Sequence, residues 1–527
     1  MKTVHRTLQP MLFIACINAS FLSFGNNIRI DNVSLTGQNT VEDYTMVRFD
    51  ISWDNSWRTS TLENNWDAAW IFVKYRKKAD TDWSHAYMND AGHTTPTGGT
   101  ITPGLVTPGS PFNATTNPAV GAFLYRNSDG IGNVNFSGAE LRWNYGVNGL
   151  ADYDSVEVCV FALEMVYIPQ GAFYLGDNIV PGSSSSGHFV AGTTTDPFQL
   201  TSEAELTIGN TATSQVWGTS ESGNNTIGSA GTLPSEFPKG YGGFYIMKYE
   251  LSQYMYKEFL NKLTRTQQAA RVSATTVGRY MSNNNSSSVP QVRNGIRVMS
   301  DPGGVLPRVY GNDLNNNDVE GEAEDGQHIA CNWLSFGDLI AFADWCGLRP
   351  FTELEYEKTC RGILNSVANE YAWGNTNATN ATSITNSGQT NEVAGNSGAN
   401  LVSNNAANVQ GPMRNGNFAG SGTNREQSGA AYYGVMELSG NLWEYTISVG
   451  RADNRTFNGR NNGNGILTSA GASDVGTWPA TSGLRGGQWA STGAALQVSD
   501  RSAASTSTSY AATRSNWGGI RLARTEP

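Results

Sequence analysis

A strict alternation of apolar and polar side chains at residues 47–53 is the feature that most limits how this chain can fold. The segment reads Val-Arg-Phe-Asp-Ile-Ser-Trp. Successive side chains of a β-strand point to opposite faces of the sheet, so this pattern places one face on a core and the other in water. Residues 28–31 alternate in the same way, whereas 70–73 and 156–163 are continuous apolar runs suited to strands buried on both faces. We predict an antiparallel β-sandwich over residues 26–163.

The composition favours β-structure and excludes some partners. The chain has 59 Gly and 15% charged residues, where roughly 25% is usual, which favours turns and polar loops over helical bundles. The net charge is −11 and the pI is near 5.1. Nucleic-acid binding needs concentrated Lys and Arg, so we expect no nucleic-acid partner. Beyond the first 25 residues, the sequence has no stretch of 18 apolar residues. We therefore expect no transmembrane segment.

The first 25 residues have the pattern of a secretory signal peptide. A basic head with Lys2 and Arg6 precedes a short apolar stretch at residues 11–24 and a polar start at Asn26. Cys16 resembles a lipid-attachment site, but apolar sequence continues well past it, which favours cleavage over lipidation. We expect a secreted or cell-surface protein.

Three helices are predicted in the second half of the chain. Residues 252–271 carry a helical apolar stripe. Residues 335–346 begin with a capping box of Ser335 and Asp338 and end at Gly347, and residues 352–360 begin with a second capping box.

A change in the pattern of residue types near residue 164 predicts a domain boundary. A strand, a turn and a second strand follow at residues 165–176, and Ser/Asn/Gly-rich stretches later in the chain resemble long loops. The predicted organisation is a signal peptide at 1–25, a β-sandwich at 26–163 and a second domain at 164–527, with insertions near 178–243, 272–330 and 375–430.

Seven blocks of the second domain resemble a known family in their order as well as in their residues. The fifth of these blocks, residues 433–445, reads Tyr-Gly-Val-Met-Glu-Leu-Ser-Gly-Asn-Leu-Trp-Glu-Tyr. The blocks are 165–176, 244–252, 333–357, 371–375, 433–445, 484–489 and 519–521. Together they resemble the formylglycine-generating (sulfatase-modifying factor) family, which has a C-type-lectin-like fold. The expected fold class is α+β, an N-terminal antiparallel β-sandwich followed by a C-type-lectin-like, formylglycine-generating-enzyme-type domain with long loop insertions.

The resemblance does not extend to the catalytic residues. Oxygen-dependent enzymes of the family have a cysteine pair, which binds copper, after the Arg-Gly-Gly block. This chain has no Cys after Cys360, and residues 490–497 offer only hydroxyls, an amide and methyls. Such groups are poor ligands for soft Cu(I). We expect neither copper nor family-type catalysis.

The resemblance also implies a structural calcium site at Glu437, Gly440, Leu442 and Glu444. In the family, two side-chain oxygens alternate there with backbone carbonyls across a tight Gly turn. Hard oxygen donors suit Ca²⁺, which exported proteins meet at high concentration. The alternative is that Glu444 pairs locally and the turn only packs Trp443.

The segment after the Arg-Gly-Gly block is the predicted ligand-binding surface. Its arginines suit an anionic ligand, although in this fold arginines more often tie loops to the core, and its tryptophans are more often packing residues. The surface candidates are Gln488, Trp489, Ser491, Thr492, Gln497, Asp500, Arg501 and Trp517.

Three functions are compatible with these features. The first is an exported non-catalytic binding or structural protein whose ligand is an extracellular protein or a glycan. Some family members are variable proteins diversified by retroelements, and the Arg-Gly-Gly to Gly-Ile-Arg frame at residues 485–521 resembles theirs. The second is a divergent copper- and oxygen-dependent protein-cysteine oxidase. The third is a structural component of a surface motility or adhesion apparatus.

Overall fold

The alternating segment at residues 47–53 lies in the middle of a long strand, as its pattern predicts. The computed structural model describes residues 21–23, 27–78, 80–178, 188–218, 229–282, 286–404, 408–504 and 512–527. The first nine strands are β1 (Phe21–Ser23), β2 (Ile28–Asn39), β3 (Tyr44–Arg58), β4 (Asp67–Lys77), β5 (Ser84–His85), β6 (Gly99–Leu105), β7 (Ala119–Arg126), β8 (Gly130–Trp143) and β9 (Val156–Ile168). Apart from residues 21–23, the predicted signal peptide and Cys16 lie outside the described residues.

Two antiparallel sheets face each other across the N-terminal core. One has the strand order β1-β2-β3-β8, and β9, β4, β7 and β6 lie in that order in the other, with β5 beside β4. Phe49 and Ile51 of β3 pack against Ile71 of β4 and Val160 of β9 in one buried cluster. The predicted sandwich is confirmed.

The rest of the chain consists of short strands and helices. The strands are β10 (Phe173–Leu175), β11 (Phe189–Ala191), β12 (Phe198–Leu200), β13 (Leu206–Ile208), β14 (Val216–Gly218), β15 (Gly231–Leu233), β16 (Phe244–Met247), β17 (Ile296–Ser300), β18 (Val309–Asn312), β19 (Ile384–Thr385), β20 (Val393–Ala394), β21 (Trp443–Thr446), β22 (Gly483–Arg485), β23 (Gly518–Gly519) and β24 (Ala523–Thr525). The helices are α1 (Gln253–Leu260), α2 (Arg265–Arg271), α3 (Phe336–Cys346), α4 (Glu353–Arg361) and α5 (Arg425–Ser428), with 3-10 turns at Ala452–Thr456 and Gly493–Leu496. The α+β class is confirmed.

Strand β9 belongs to both halves of the chain. It pairs with β4 along its whole length and with β16 on its other side, and β24 extends the same sheet. The far face of this shared sheet packs on α3, where Phe72 and Phe161 meet the Trp345 ring edge-on at centroid distances of 5.1 and 5.2 Å. The predicted boundary between residues 163 and 164 therefore falls inside a continuous strand.

Both predicted capping boxes are present, at Ser335 and at Thr352, and Gly347 ends α3 with a left-handed φ of 76°. The prediction of one helix over residues 252–271 is wrong, because the segment forms two helices. Thr264 caps α2 through a capping box with Gln267. Asn261 ends α1, and its side chain binds both backbone groups of Tyr310.

The predicted insertions contain short strands as well as loops. Residues 178–243 hold a small sheet of order β11-β14-β13-β15, residues 272–330 hold the β17–β18 pair, and residues 375–430 hold the β19–β20 pair and α5. Within the described ranges, no helix combines the length and apolar character needed to cross a membrane.

Candidate functional site

The predicted calcium turn immediately precedes and enters β21, the middle strand of the β22-β21-β23 sheet. Glu437, Gly440 and Asn441 have φ values of 56°, 85° and 62°, and such left-handed conformations bend the chain sharply. A side chain at Gly440 would lie 2.5 Å from the Val402 carbonyl. The turn therefore requires glycine at that position.

Three buried carboxylates meet at this turn, and we call Glu250, Glu437 and Glu444 the carboxylate cluster. Glu437 accepts a hydrogen bond from the Gly416 backbone N–H at 2.7 Å, and Glu444 accepts one from Nε of Arg521 at 2.7 Å. Glu250 accepts from the Leu442 backbone N–H at 2.9 Å and from the Asn441 side chain. Glu250 was not a site candidate from the sequence, because it lies far from the turn along the chain.

Burial shifts the three carboxyls of the cluster towards their protonated, uncharged forms. Burial raises the pKa of the Glu437 carboxyl to about 7. Burial and the neighbouring Glu444 raise the pKa of Glu250 well above its usual range, and burial also raises that of Glu444 against the effect of Arg521. Buried carboxyls resist ionisation in this way when a neighbouring cation, here Arg521, only partly offsets the cost of burial.

Among the residues that the structure describes, two oxygens of the cluster have no hydrogen-bond partner. Oε2 of Glu437 and Oε2 of Glu444 are both buried and unpartnered. Such orphaned acceptors are costly unless water or an ion satisfies them. The described residues contain no group of three His, Cys, Asp or Glu side chains arranged around a metal, so a cation here would need carbonyl oxygens as well. Carboxylate and carbonyl oxygens are the kinds of donor that Ca²⁺ prefers, and the calcium site at Glu437, Gly440, Leu442 and Glu444 stays a prediction.

The predicted surface residues divide into two groups. Gln488, Trp489, Ser491, Gln497 and Trp517 are half-buried and Thr492 is exposed. The residue 488–491 turn is closed by hydrogen bonds between Gln488 and Ser491, and the indole N–H of Trp489 donates to the Asn516 carbonyl at 3.1 Å. Gln488, Trp489 and Ser491 therefore lie on a well-bonded turn, and the Trp489 and Trp517 rings pack partly against buried apolar clusters.

Asp500 and Arg501 are buried, and the prediction that they contribute to the surface is wrong. Arg501 donates to both carboxylate oxygens of Glu353, from Nε and Nη2, at 2.9 Å each. Arg485 binds the same carboxylate and that of Glu357. The interpretation that these arginines tie loops to the core therefore agrees with their contacts.

A cleft of about 770 Å³ lies beside the carboxylate cluster. Its walls include Trp57, Lys248 and Arg414, and the Lys248 ammonium lies 4.8 Å from the centre of the Trp57 ring. Lys248 also pairs with Glu164 at 3.3 Å. The sequence gives no signal for this cleft because segments distant in the chain form its walls.

Comparison with known proteins identifies the second domain. The family model described as "Sulfatase-modifying factor enzyme 1-like domain" matches residues 157–526. Among solved structures, Treponema denticola variable protein 1 is similar, with 11% sequence identity, 69% of this chain and 96% of that chain covered, and a TM-score of 0.30. That TM-score gives no basis for transferring details to this chain. No curated protein matches in sequence.

Proposed function

The chain belongs to the sulfatase-modifying factor enzyme 1-like family, and on that premise we propose that it is an exported, non-catalytic member that presents a binding surface. The proposed surface consists of Gln488, Trp489, Ser491, Thr492, Gln497 and Trp517. Its proposed ligand is an extracellular protein or a glycan, and its proposed location is secreted or at the cell surface, from the pattern of the first 25 residues.

The lack of a cysteine pair after the Arg-Gly-Gly block carries the non-catalytic part of the proposal. The block ends at Gly487, and a 3-10 turn at Gly493–Leu496 follows it. Residues 490–497 supply hydroxyl, amide and methyl groups, which do not bind Cu(I) tightly.

Three of the four cysteines in the described residues support the same proposal. Cys331, Cys346 and Cys360 are fully buried. Burial raises the pKa of the Cys346 and Cys360 thiols to about 12 and that of Cys331 well above its usual range. Copper ligation needs thiolates, so these thiols are poor substitutes for the missing pair.

The calcium turn is the proposed support of the surface. The Trp489 backbone N–H donates to the Asn441 carbonyl at 2.8 Å, and the Gly440 N–H donates to the Gly486 carbonyl at 2.8 Å. A cation held by Glu437 and Glu444 would fix the turn and, through these bonds, the surface segment. Calcium is therefore proposed as structural, with no part in chemistry.

A binding experiment tests the surface. The secreted protein is applied to a printed glycan array and to immobilised extracellular matrix proteins, beside a Gln488→Ala/Thr492→Ala variant. Thr81→Ala/Thr115→Ala, two exposed changes in the N-terminal half of the chain, is the matched control. We expect wild type and control to bind the same ligand and the surface variant to lose it. Unchanged binding by the surface variant would contradict the proposal.

Three further observations decide between the binding protein and its alternatives. A repeat of the DNA encoding residues 485–521 near a reverse transcriptase gene would support a diversified variable protein. Oxidation of a cysteine peptide would instead support the copper oxidase, and recovery in a filament or adhesion assembly would support the structural component.

A further inference from the structure

A second cavity lies where the N-terminal sandwich meets the family domain. It has a volume of about 430 Å³. Lys74 and Trp83 contribute from the sandwich, and Lys262 and Trp345 contribute from the family domain. Half of its wall therefore comes from residues that precede the family match at 157–526.

Lys74 is the unusual group in this cavity. Its side chain is 1% exposed, and its ammonium donates to the Gly465 carbonyl at 3.0 Å. An ammonium has three donors, and among the described residues Lys74 forms no ion pair. The Asp344 carboxylate lies near enough to affect it, but is itself bound by the Ser473 hydroxyl at 2.7 Å and by two backbone N–H groups. A buried cation with donors to spare is costly without an anionic partner.

Lys262 adds a second positive charge to the wall of the cavity. Its ammonium lies 4.5 Å from the centre of the Trp83 ring. Within the part of the chain that the structure describes, it likewise forms no ion pair. The carboxylate at the cavity, Asp82, is exposed to water, where its field is screened. Lys74 and Lys262 are therefore the two basic groups that can face a ligand in the cavity.

Aromatic rings form much of the remaining wall. The Lys74 ammonium lies 4.7 Å from the centre of the Trp345 ring, and Trp83 and Tyr87 also line the cavity. Indole and phenol rings bind flat ligands by stacking. The cavity thus combines flat apolar walls with two cations, which is the arrangement expected of a small-molecule site.

His85 supplies a third polar group. Its Nε2 lies 2.7 Å from the Val120 carbonyl. Because a carbonyl only accepts, Nε2 carries the proton and Nδ1 is an acceptor. Nδ1 is buried and has no hydrogen-bond partner in the described part of the chain. A carboxylate has no proton to give this acceptor, so an anion in the cavity would be bound by the two lysines and not by His85.

We propose that this cavity binds a small aromatic carboxylate, with the ring against Trp345 and Trp83 and the carboxylate accepting hydrogen bonds from Lys74 and Lys262. Two single ammonium groups suit a monoanion, whereas phosphate sites more often use the bidentate fork of Arg. This site is separate from the residue 488–517 surface and does not depend on the function proposed for it.

Fluorine NMR of the full-length protein tests the proposal with two probes of nearly the same shape. The probes are 4-fluorobenzoate and the neutral 4-fluorobenzamide. We expect saturable binding of the acid and at least about tenfold weaker binding of the amide, since hydrogen bonds to charged groups contribute that much. Equal affinity for both, or no binding of either, would overturn the proposal.

Variants assign the effect to the cavity. Lys74→Met keeps the apolar stem and removes an unpaired buried charge, so we expect it to fold and to lose the preference for the acid. Lys262 is only half-buried, so Lys262→Met disturbs the fold less than a change at Lys74 would. It should also weaken binding of the acid. Lys78→Met, at an exposed lysine, is the control and should bind as wild type does. Retained preference in both cavity variants would contradict the assignment.

Discussion

The backbone N–H of Trp489 donates to the carbonyl of Asn441 at 2.8 Å, which joins the proposed binding surface directly to the proposed calcium turn. Asn441 in turn donates through its side chain to the buried Glu250. Asn441 therefore links the surface segment to the carboxylate cluster through hydrogen bonds. The charge state of that cluster should affect the surface.

Calcium should stabilise the protein. A ligand that binds only the folded state raises its stability with concentration, and Glu437 and Glu444 each have an unpartnered buried oxygen. We expect thermal melts in excess calcium to lie several degrees above melts in chelator. Glu437→Gln and Glu444→Ala should abolish the difference, while Glu205→Gln, at an exposed residue, should keep it. Identical wild-type melts with and without calcium would dismiss the site.

Loss of Arg501 should be strongly destabilising. Its removal leaves Glu353 with an uncompensated share of buried charge, a change that costs about 3–5 kcal/mol in comparable pairs. We therefore expect a large fall in the urea midpoint of Arg501→Met. Arg451→Met breaks the exposed pair with Asp453 and should change stability by less than about 1 kcal/mol. Similar midpoints for the two variants would show that the buried pair is not important.

The two halves of the chain should not fold independently. A fragment of residues 157–527 would lack β4, the neighbour of β9, and would expose Phe161 and Trp345, which pack with Phe72. We expect this fragment to be aggregated or to lack near-ultraviolet circular dichroism. A soluble fragment with a native-like spectrum and a cooperative melt would instead support a boundary near residue 164.

Lys74 should make stability depend on pH. Burial lowers its pKa to about 7 from 10.5, so the unfolded chain binds this proton more tightly than the folded protein does. The cost of the buried charge is fully present below pH 7, and stability from this group rises as the pH increases from 7 towards 10.5. Urea unfolding at pH 7 and 9.5 measures the rise. Lys74→Met should be more stable than wild type at pH 7 and should show a smaller rise, and an equal rise in both would contradict this prediction.

Features set by local pattern could be predicted from the sequence. The alternation at residues 47–53 and the capping residues Ser335 and Thr352 act through neighbours in the chain, and the structure has the corresponding strand and helices. The break at residues 261–264 was missed because the apolar stripe continues to Leu263. It is a tertiary contact, between Asn261 and Tyr310, that overrides the stripe.

Features set by distant partners could not be predicted. An arginine that binds a ligand and one that binds a buried glutamate look alike in sequence, and only the fold brings Glu353 to Arg501. In the same way, a continuous apolar run such as residues 156–163 indicates burial on both faces but does not say which elements cover them. The sharing of β9 between the two halves, and the approach of Glu250 to the calcium turn, became visible only in three dimensions.

The central claim, that this member of the family is not a formylglycine-generating oxidase, is tested most directly by mass spectrometry of a sulfatase-type cysteine peptide. The purified protein is incubated with the peptide, copper and oxygen, beside an active enzyme of the family that proves the peptide competent. We predict that the peptide keeps its cysteine with this protein and loses it with the active enzyme. Appearance of the aldehyde product with this protein would contradict the account and identify it as a divergent oxidase.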